Sequence, residues 1–332
     1  MKLWRLLIFG FLFVFSGTTL LFILLVRAPQ SNQPLERFVV NQGASEEEII
    51  NDLVQKGFLR NREIFRLFLT SRGWHGKILP GSYLISQSMN VFELAQTLVF
   101  KPYQRWVTLL PGWRKEQAAA ILQKTFQWST SQLNEFLAAA EEGYLYPDTY
   151  LINLDYSPTQ VYQKIKNNFN EKFDTQLQAD LLAQNIRNDT AVKIASLVER
   201  ESGSDEDKPI IAGILWNRLN KGMRLEIDAT VQYAKLIQDS KFKIKNFREI
   251  MDWWPKVTPE DLKSLISPYN TYLNDGLPPG PICSPTIESI RAVAHPAETK
   301  ALYYLHSADR KIHTAETYEE HLQNIQKYLP RQ

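Results

Sequence analysis

The sequence predicts an α+β fold with an N-terminal transmembrane helix, and three features predict it. An uncharged apolar run opens the chain. A stretch of short strand-like and helix-like segments follows, and then a longer region of amphipathic helices broken by aromatic, proline-containing loops. The opening run spans Leu6 to Val26, preceded by Lys2 and Arg5 and closed by Arg27 and Pro29. Its 21 residues, at about 1.5 Å each, reach roughly 30 Å, the thickness of a bilayer hydrocarbon core. A cleaved signal peptide has a shorter apolar region and small residues before the cut, and Val26-Arg27-Ala28-Pro29 offers no such site. Residues 1–26 are therefore expected to be an uncleaved anchor. The two positive charges ahead of it, against one just behind, favour an internal N-terminus and an extracytoplasmic remainder.

Residues 27–35, polar and Pro-containing, read as a linker. Phe38-Val39-Val40 then reads as a strand. Ser45 with Glu48 three residues on forms a capping box for a helix over 46–56, whose Ile49, Ile50, Leu53 and Val54 share a face and which Gly57 stops. A second helix is expected at 62–71, a turn and strand at Pro80 to Ile85, and a helix over 91–99 capped by Asn90. Residues 36–104 thus form a small α+β unit, and 105–330 a larger mixed α/β domain. In the latter, Val107–Leu110 reads as a strand. Helices are expected from Ser129 to about 142 and over 158–170, 176–187, 190–202, 207–221 and 229–239, with a hairpin in 302–313 and a last helix over 316–328.

Composition removes several functions. Lys plus Arg number 38 and Asp plus Glu 36, a net charge of +2 that leaves no polyanion footprint, so no nucleic-acid partner is expected. Five scattered histidines and the absence of HExxH or CxxC spacing argue against a metal site, and no cofactor is expected. The single cysteine, Cys283, excludes an intramolecular disulfide.

The chemistry concentrates in Ala191 to Ser202. On a helix at 100° per residue, Val192, Ile194, Ala195, Leu197 and Val198 form an apolar arc, and both Glu199 and Glu201 fall inside it. A carboxylate facing an apolar interior resists ionisation, which is how a protein keeps an acid protonated for proton donation. Helical pattern alone does not choose between the two glutamates. It also leaves open that they pair with a cation of a neighbouring element, such as Arg218. Three loop segments add aromatic faces beside carboxylates and amides, a combination suited to sugars. These are Glu142 to Tyr150, Leu225 to Val231, and Ser267 to Tyr272 continuing through Pro281. Within them Asp228 could equally be a helix cap, and Tyr144 and Tyr146 could belong to the core.

These segments resemble the endolytic murein transglycosylase family (MltG, also called YceG-like). The matching stretches are EGYLYPDTY (142–150), ASLVERE (195–201), AGILWNRLNKGM (212–223), DATVQYA (228–234), SPYNTY (267–272) and GLPPGPI (276–282), in the family's order, across roughly residues 106–325. The anchor and the 36–104 unit also resemble the family's layout, in which that unit is LysM-like. The resemblance implies that Glu199 is the catalytic acid/base. It implies substrate-binding roles for Glu142, Asn217, Asp228, Tyr269 and Asn270. Two positions depart from the pattern: Glu226 stands where the family usually has Gln, and His313-Thr314 where it has Phe-Ser.

The activity so implied is endolytic cleavage of the MurNAc–GlcNAc bond of peptidoglycan, giving 1,6-anhydro-MurNAc ends on nascent strands during wall assembly. One carboxylate protonates the leaving oxygen and then accepts the proton of the muramyl C6 hydroxyl as it attacks C1. The partners implied are glycan strands, the membrane and cell-wall synthases. Two other classes fit the same residues. One is a non-catalytic glycan-binding scaffold. The other is a water-using glycosidase, which needs a second carboxylate from Glu201, Glu226 or Asp228.

Overall fold

A computed structural model describes residues 2–238 and 254–329. The first helix, α1, runs from Lys2 to Val26. Among the described residues no helix is long and apolar enough to cross a membrane. The remainder is mixed α+β, and the chain divides into two compact units. The first comprises Met1–Trp106 with Tyr150–Asp155, and the second Val107–Thr149 with Tyr156–Gln332.

The first unit is ordered β-α-α-β-α: β1 (Glu36–Val40), α2 (Glu46–Gln55), α3 (Arg62–Ser71), β2 (Gly81–Ile85) and α4 (Val91–Phe100). Local chemistry sets the helix starts. Ser45 accepts from the Glu48 N–H while Glu48 accepts from the Ser45 N–H, Asn61 caps α3, and Asn90 and Glu93 cap α4 reciprocally. Each cap satisfies N–H groups that the first helical turn leaves without partners. β1 and β2 pair antiparallel with Phe38 opposite Tyr83. Ile50, Leu53, Phe65, Leu69, Tyr83, Leu94 and Leu98 close a core that excludes solvent.

The strand expected at 107–110 lies instead at Pro102–Thr108 (β3), pairing with β2 across a register shift at Ser82/Tyr83. A fourth strand, β4 (Thr149–Asn153), completes the sheet in the order β1-β2-β3-β4. The sheet therefore recruits a segment some 40 residues downstream of β3, a pairing no local pattern announces.

The second unit is mainly helical: α5 (Lys115–Phe126), α6 (Thr130–Ala139), α7 (Pro158–Lys172), α8 (Thr175–Ala183), α9 (Asn188–Glu201), α10 (Asp207–Asn220) and α11 (Asp228–Gln238). The last residue expected in α11, at 239, lies outside the described residues. Two short helices were not legible in the sequence, α12 (Pro259–Ser264) and α13 (Ile287–Ala294). The hairpin β5 (Tyr303–His306) and β6 (Ile312–Ala315), with Leu305 opposite His313, leads into α14 (Tyr318–Tyr328).

Helix α9 is the hub of this unit. Ala191, Val192, Ile194, Ala195, Leu197 and Val198 are all fully buried, in a cluster with Ile211, Ala212 and Leu215 of α10 and Ile290 and Val293 of α13. Burying each large aliphatic side chain contributes about 1.5–3 kcal/mol. Gly143 shows how tightly the loops pack: its φ of +88° favours glycine, and a Cβ there would lie 2.6 Å from Pro281.

Candidate active site

Helix α9 ends with Glu199 and Glu201 two residues apart, and the tertiary structure gives them different surroundings. Glu199 points to the N-terminus of α13. Its Oε2 accepts from the Thr286 N–H at 2.9 Å, the Thr286 hydroxyl at 2.7 Å and the Ser289 hydroxyl at 2.5 Å. The Lys208 Nζ lies 3.4 Å from the same oxygen and also donates to the Thr286 hydroxyl at 2.9 Å. The Glu199 carboxyl is thus engaged by three donors at the start of α13 and lies beside a buried ammonium. The helical arc places Glu199 inward, but what it meets there is polar. Pairing with a neighbouring cation, left open by the sequence, is what Glu199 does, with Lys208 as the partner.

Glu201 lines a cavity of about 450 Å³. Leu225, Glu226 and Asp228 precede or open α11, Tyr272 comes from the 267–272 loop, Tyr303 and Tyr304 from β5, and Tyr318 and His321 from α14; Arg218 of α10 completes the wall. The Tyr304 hydroxyl donates to Glu201 Oε2 at 2.7 Å. Burial pushes the Glu201 carboxyl above the usual glutamate range, the charge of Asp228 adds to the rise, and the Tyr304 hydrogen bond, Arg200 and His306 oppose it. Glu201 is thus a carboxyl of the apolar arc whose proton affinity burial raises. Glu199 is not among the residues that line this cavity.

The other expected site residues divide likewise. Asp228 reaches the cavity, and its Oδ1 accepts from the Tyr272 hydroxyl at 2.7 Å. Burial and Asp228 together raise the Tyr272 phenol. Asn217 does not line the cavity. Its amide donates to the Thr299 and Ala301 carbonyls at 2.7 and 3.0 Å, holding the loop that enters β5. Asn270 is completely buried; its amide donates to the Leu262 and Leu265 carbonyls and its Oδ1 accepts from the Tyr272 N–H, so it shapes the turn that presents Tyr272. In this structure both amides are bonded to main chain, Asn217 as a donor and Asn270 as donor and acceptor.

Glu142 and Tyr269 belong to a second buried cluster. Glu142 Oε1 accepts from the Lys115 N–H at 3.1 Å, and Glu142 Oε2 lies 4.0 Å from Arg114 Nε. Arg114 also pairs with Glu116 at 3.1 Å and stacks over Tyr233 at 4.5 Å, while Tyr233 packs on Tyr269 at 4.7 Å. Burial and the neighbouring Glu116 charge push the Glu142 carboxyl up, against the pull of Arg114. Neither Glu142 nor Tyr269 lines the 450 Å³ cavity.

Of the two positions that depart from the family pattern, Glu226 faces the cavity and takes a hydrogen bond from Arg218 Nη1 at 3.1 Å. His313 stacks on Tyr328 at 3.6 Å and contacts the Ser307 hydroxyl at 2.9 Å. Sequence reasoning missed Tyr303, Tyr304, Tyr318 and His321. The signal available was the Tyr-Tyr pair inside a segment read as a hairpin. Among the described residues no group of His, Cys, Asp and Glu could hold a metal.

Comparison with known proteins agrees in extent with this architecture. The YceG-like family profile matches residues 38–327. A Bacillus subtilis protein named endolytic murein transglycosylase is 26% identical over 319 residues, covering 87% of this chain and 84% of that protein. A Streptococcus pneumoniae protein of the same name is 24% identical over 340 residues; the aligned region takes in 87% of this chain but 58% of the streptococcal one. Among solved structures, a yceG-like protein from Listeria monocytogenes superposes with a TM-score of 0.56 at 25% identity, over 88% of this chain and 99% of the other. A profile matched from the first strand to the last helix places the protein in one lineage: this chain belongs to the YceG-like family.

Proposed function

We propose that this chain is an endolytic peptidoglycan lytic transglycosylase in which Glu201, rather than Glu199, is the acid/base. The observation that carries the reading is Glu201 itself: a carboxyl raised by burial, hydrogen-bonded to Tyr304, in the wall of a cavity lined by four tyrosines. Tyrosine faces suit the C–H faces of sugar rings, and Asp228 and Glu226 supply partners for hydroxyl and amide groups. The protonated Glu201 donates its proton to the glycosidic oxygen as the bond from muramyl C1 breaks. The resulting carboxylate takes the proton of the C6 hydroxyl as O6 bonds to C1, which closes the 1,6-anhydro ring and restores the acid. Proton count balances without water, and one carboxylate suffices. The relatives named endolytic murein transglycosylases support the activity.

Positioning belongs to the same proposal. The apolar run at residues 6–26 supports a single-pass anchor in the cell membrane, with the remainder extracytoplasmic. The β-α-α-β order of the first unit supports a LysM-like module. A groove of about 430 Å³ lined by β1, residues 41–44 and the start of α2 is where glycan would lie. Nascent strands and cell-wall synthases are the partners that such an address brings within reach.

Asp228 in the same cavity favours a second reading, hydrolysis with Asp228 activating water. Mass spectrometry of digested strands in ¹⁸O-water separates the two. Anhydro ends without label are expected, and label at C1 would overturn the transglycosylase reading.

A further inference from the structure

The cavity beside Glu201 has an unbalanced charge. Beside the protonated Glu201 its carboxylates are Glu226 and Asp228, and its permanent cation is Arg218, which Glu226 pairs, so that Asp228 is left over. His321 adds no positive charge near neutrality, because burial and Arg218 hold its imidazole below the usual range.

Arg218 is engaged by the protein. Its Nε donates to the Leu302 carbonyl at 2.7 Å. Its Nη1 donates to the Arg224 and Leu225 carbonyls at 3.0 and 2.9 Å and to Glu226 Oε2 at 3.1 Å, and the guanidinium covers the Tyr303 ring at 5.1 Å. Glu226 is placed with unusual care. Its φ of +52° lies in the left-handed region, rare for a side chain of this kind, and the conformation is held by its N–H donating to the Thr271 carbonyl at 3.2 Å. The Glu226 side chain nonetheless keeps 47% of its exposure, against 8% for Arg218. The buried cation is thus covered on its carboxylate side, while the carboxylate remains accessible.

From this geometry we infer that Glu226 sets the charge preference of the cavity, making it a site for glycan units bearing a free ammonium, such as de-N-acetylated glucosamine. The inference rests on the glycan reading of the same cavity and deepens it. With Glu226 masking Arg218 and Asp228 beside it, a substrate meets negative potential; an ammonium is attracted, and an added carboxylate is repelled.

The test uses two chemically defined MurNAc–GlcNAc oligomer series of equal length, one fully N-acetylated and one with free-amine glucosamine. The readout is the ratio of kcat/KM on the amine series to that on the acetylated series, in wild type and Glu226→Gln. Glutamine keeps an acceptor for Arg218 while removing the charge. The variant is expected to lower the ratio about threefold or more, the scale of one partly exposed charge pair. The wild-type ratio, which needs no variant, is expected to fall as salt shortens the screening length from about 30 Å towards 8 Å. Equal ratios in the two proteins, or a wild-type ratio indifferent to salt, would overturn the inference. Calorimetric binding of both series to Glu201→Gln reads the same preference without turnover. Failure of wild type to cut either series would therefore sink the transglycosylase reading, while the charge inference is decided by the binding ratio.

Discussion

The Tyr304 hydroxyl donates to Glu201 Oε2 at 2.7 Å, tying hairpin strand β5 to the last turn of α9. This contact makes a carboxyl's proton affinity depend on a residue 103 positions away in the chain.

Exchange of the two glutamates for glutamine should separate chemistry from structure. Glu201→Gln should cut glycan cleavage by about 10²–10⁴-fold, the usual worth of a positioned acid/base, while keeping the fold. Because the folded-state value of Glu201 is raised, the wild type loses stability as pH rises from the ordinary glutamate value through the folded one. The variant should therefore be the more stable protein above that window and no more stable below it. Glu199→Gln should instead destabilise by about 1–3 kcal/mol, since it weakens charge-assisted bonds and leaves the exposed Asp205, 2.7 Å away, as the counter-ion of the buried Lys208. Urea unfolding and turnover per folded molecule, measured on both variants, check the pair. Normal turnover by Glu201→Gln would remove the proposed acid.

Two further substitutions should move the pH profile in opposite directions. Tyr304 stabilises the ionised Glu201, so Tyr304→Phe should raise its proton affinity and shift the alkaline limb of kcat/KM to higher pH. The Asp228 charge disfavours that ionised form, so Asp228→Asn should shift the limb to lower pH. Shifts of the same sign in both variants would mean that another group controls the limb.

The amides Asn217 and Asn270 should behave as stability residues. Asn217→Ala removes two donors to backbone carbonyls and Asn270→Ala three contacts inside a buried turn. A loss of about 1–3 kcal/mol each is expected from unpaired buried carbonyls. Asn217→Ala should leave KM for soluble glycan oligomers close to wild type in the molecules that remain folded. A raised KM with unchanged stability would return Asn217 to the substrate-binding role suggested by its motif.

The anchor reading predicts that the full chain fractionates with membranes and that removing residues 1–28 releases a soluble, folded protein. Protease applied to spheroplasts should digest the region after Arg27. Protection of that region would reverse the proposed orientation.

Much of the fold was legible in sequence because it is local. The capping box at Ser45, the Asn90 cap, the apolar stripe of α2, the β5–β6 hairpin and the long helices of the second unit each follow from spacing within a dozen residues. The helical arc also placed two glutamates on the inward face of α9. What lay beyond local pattern were pairings across the chain: β4 joining a sheet begun more than 100 residues earlier, and the eight-residue α13, too short to announce itself. That short helix decides the site. Its N-terminus and Lys208 take up Glu199, whereas Tyr304 and the open cavity meet Glu201, although the helix offers both side chains the same kind of inward direction. Periodicity determines which way a side chain points. Only tertiary packing decides whether it meets the donors at a helix start or the wall of an open cavity, because desolvation and hydrogen bonding are set by neighbours distant in sequence.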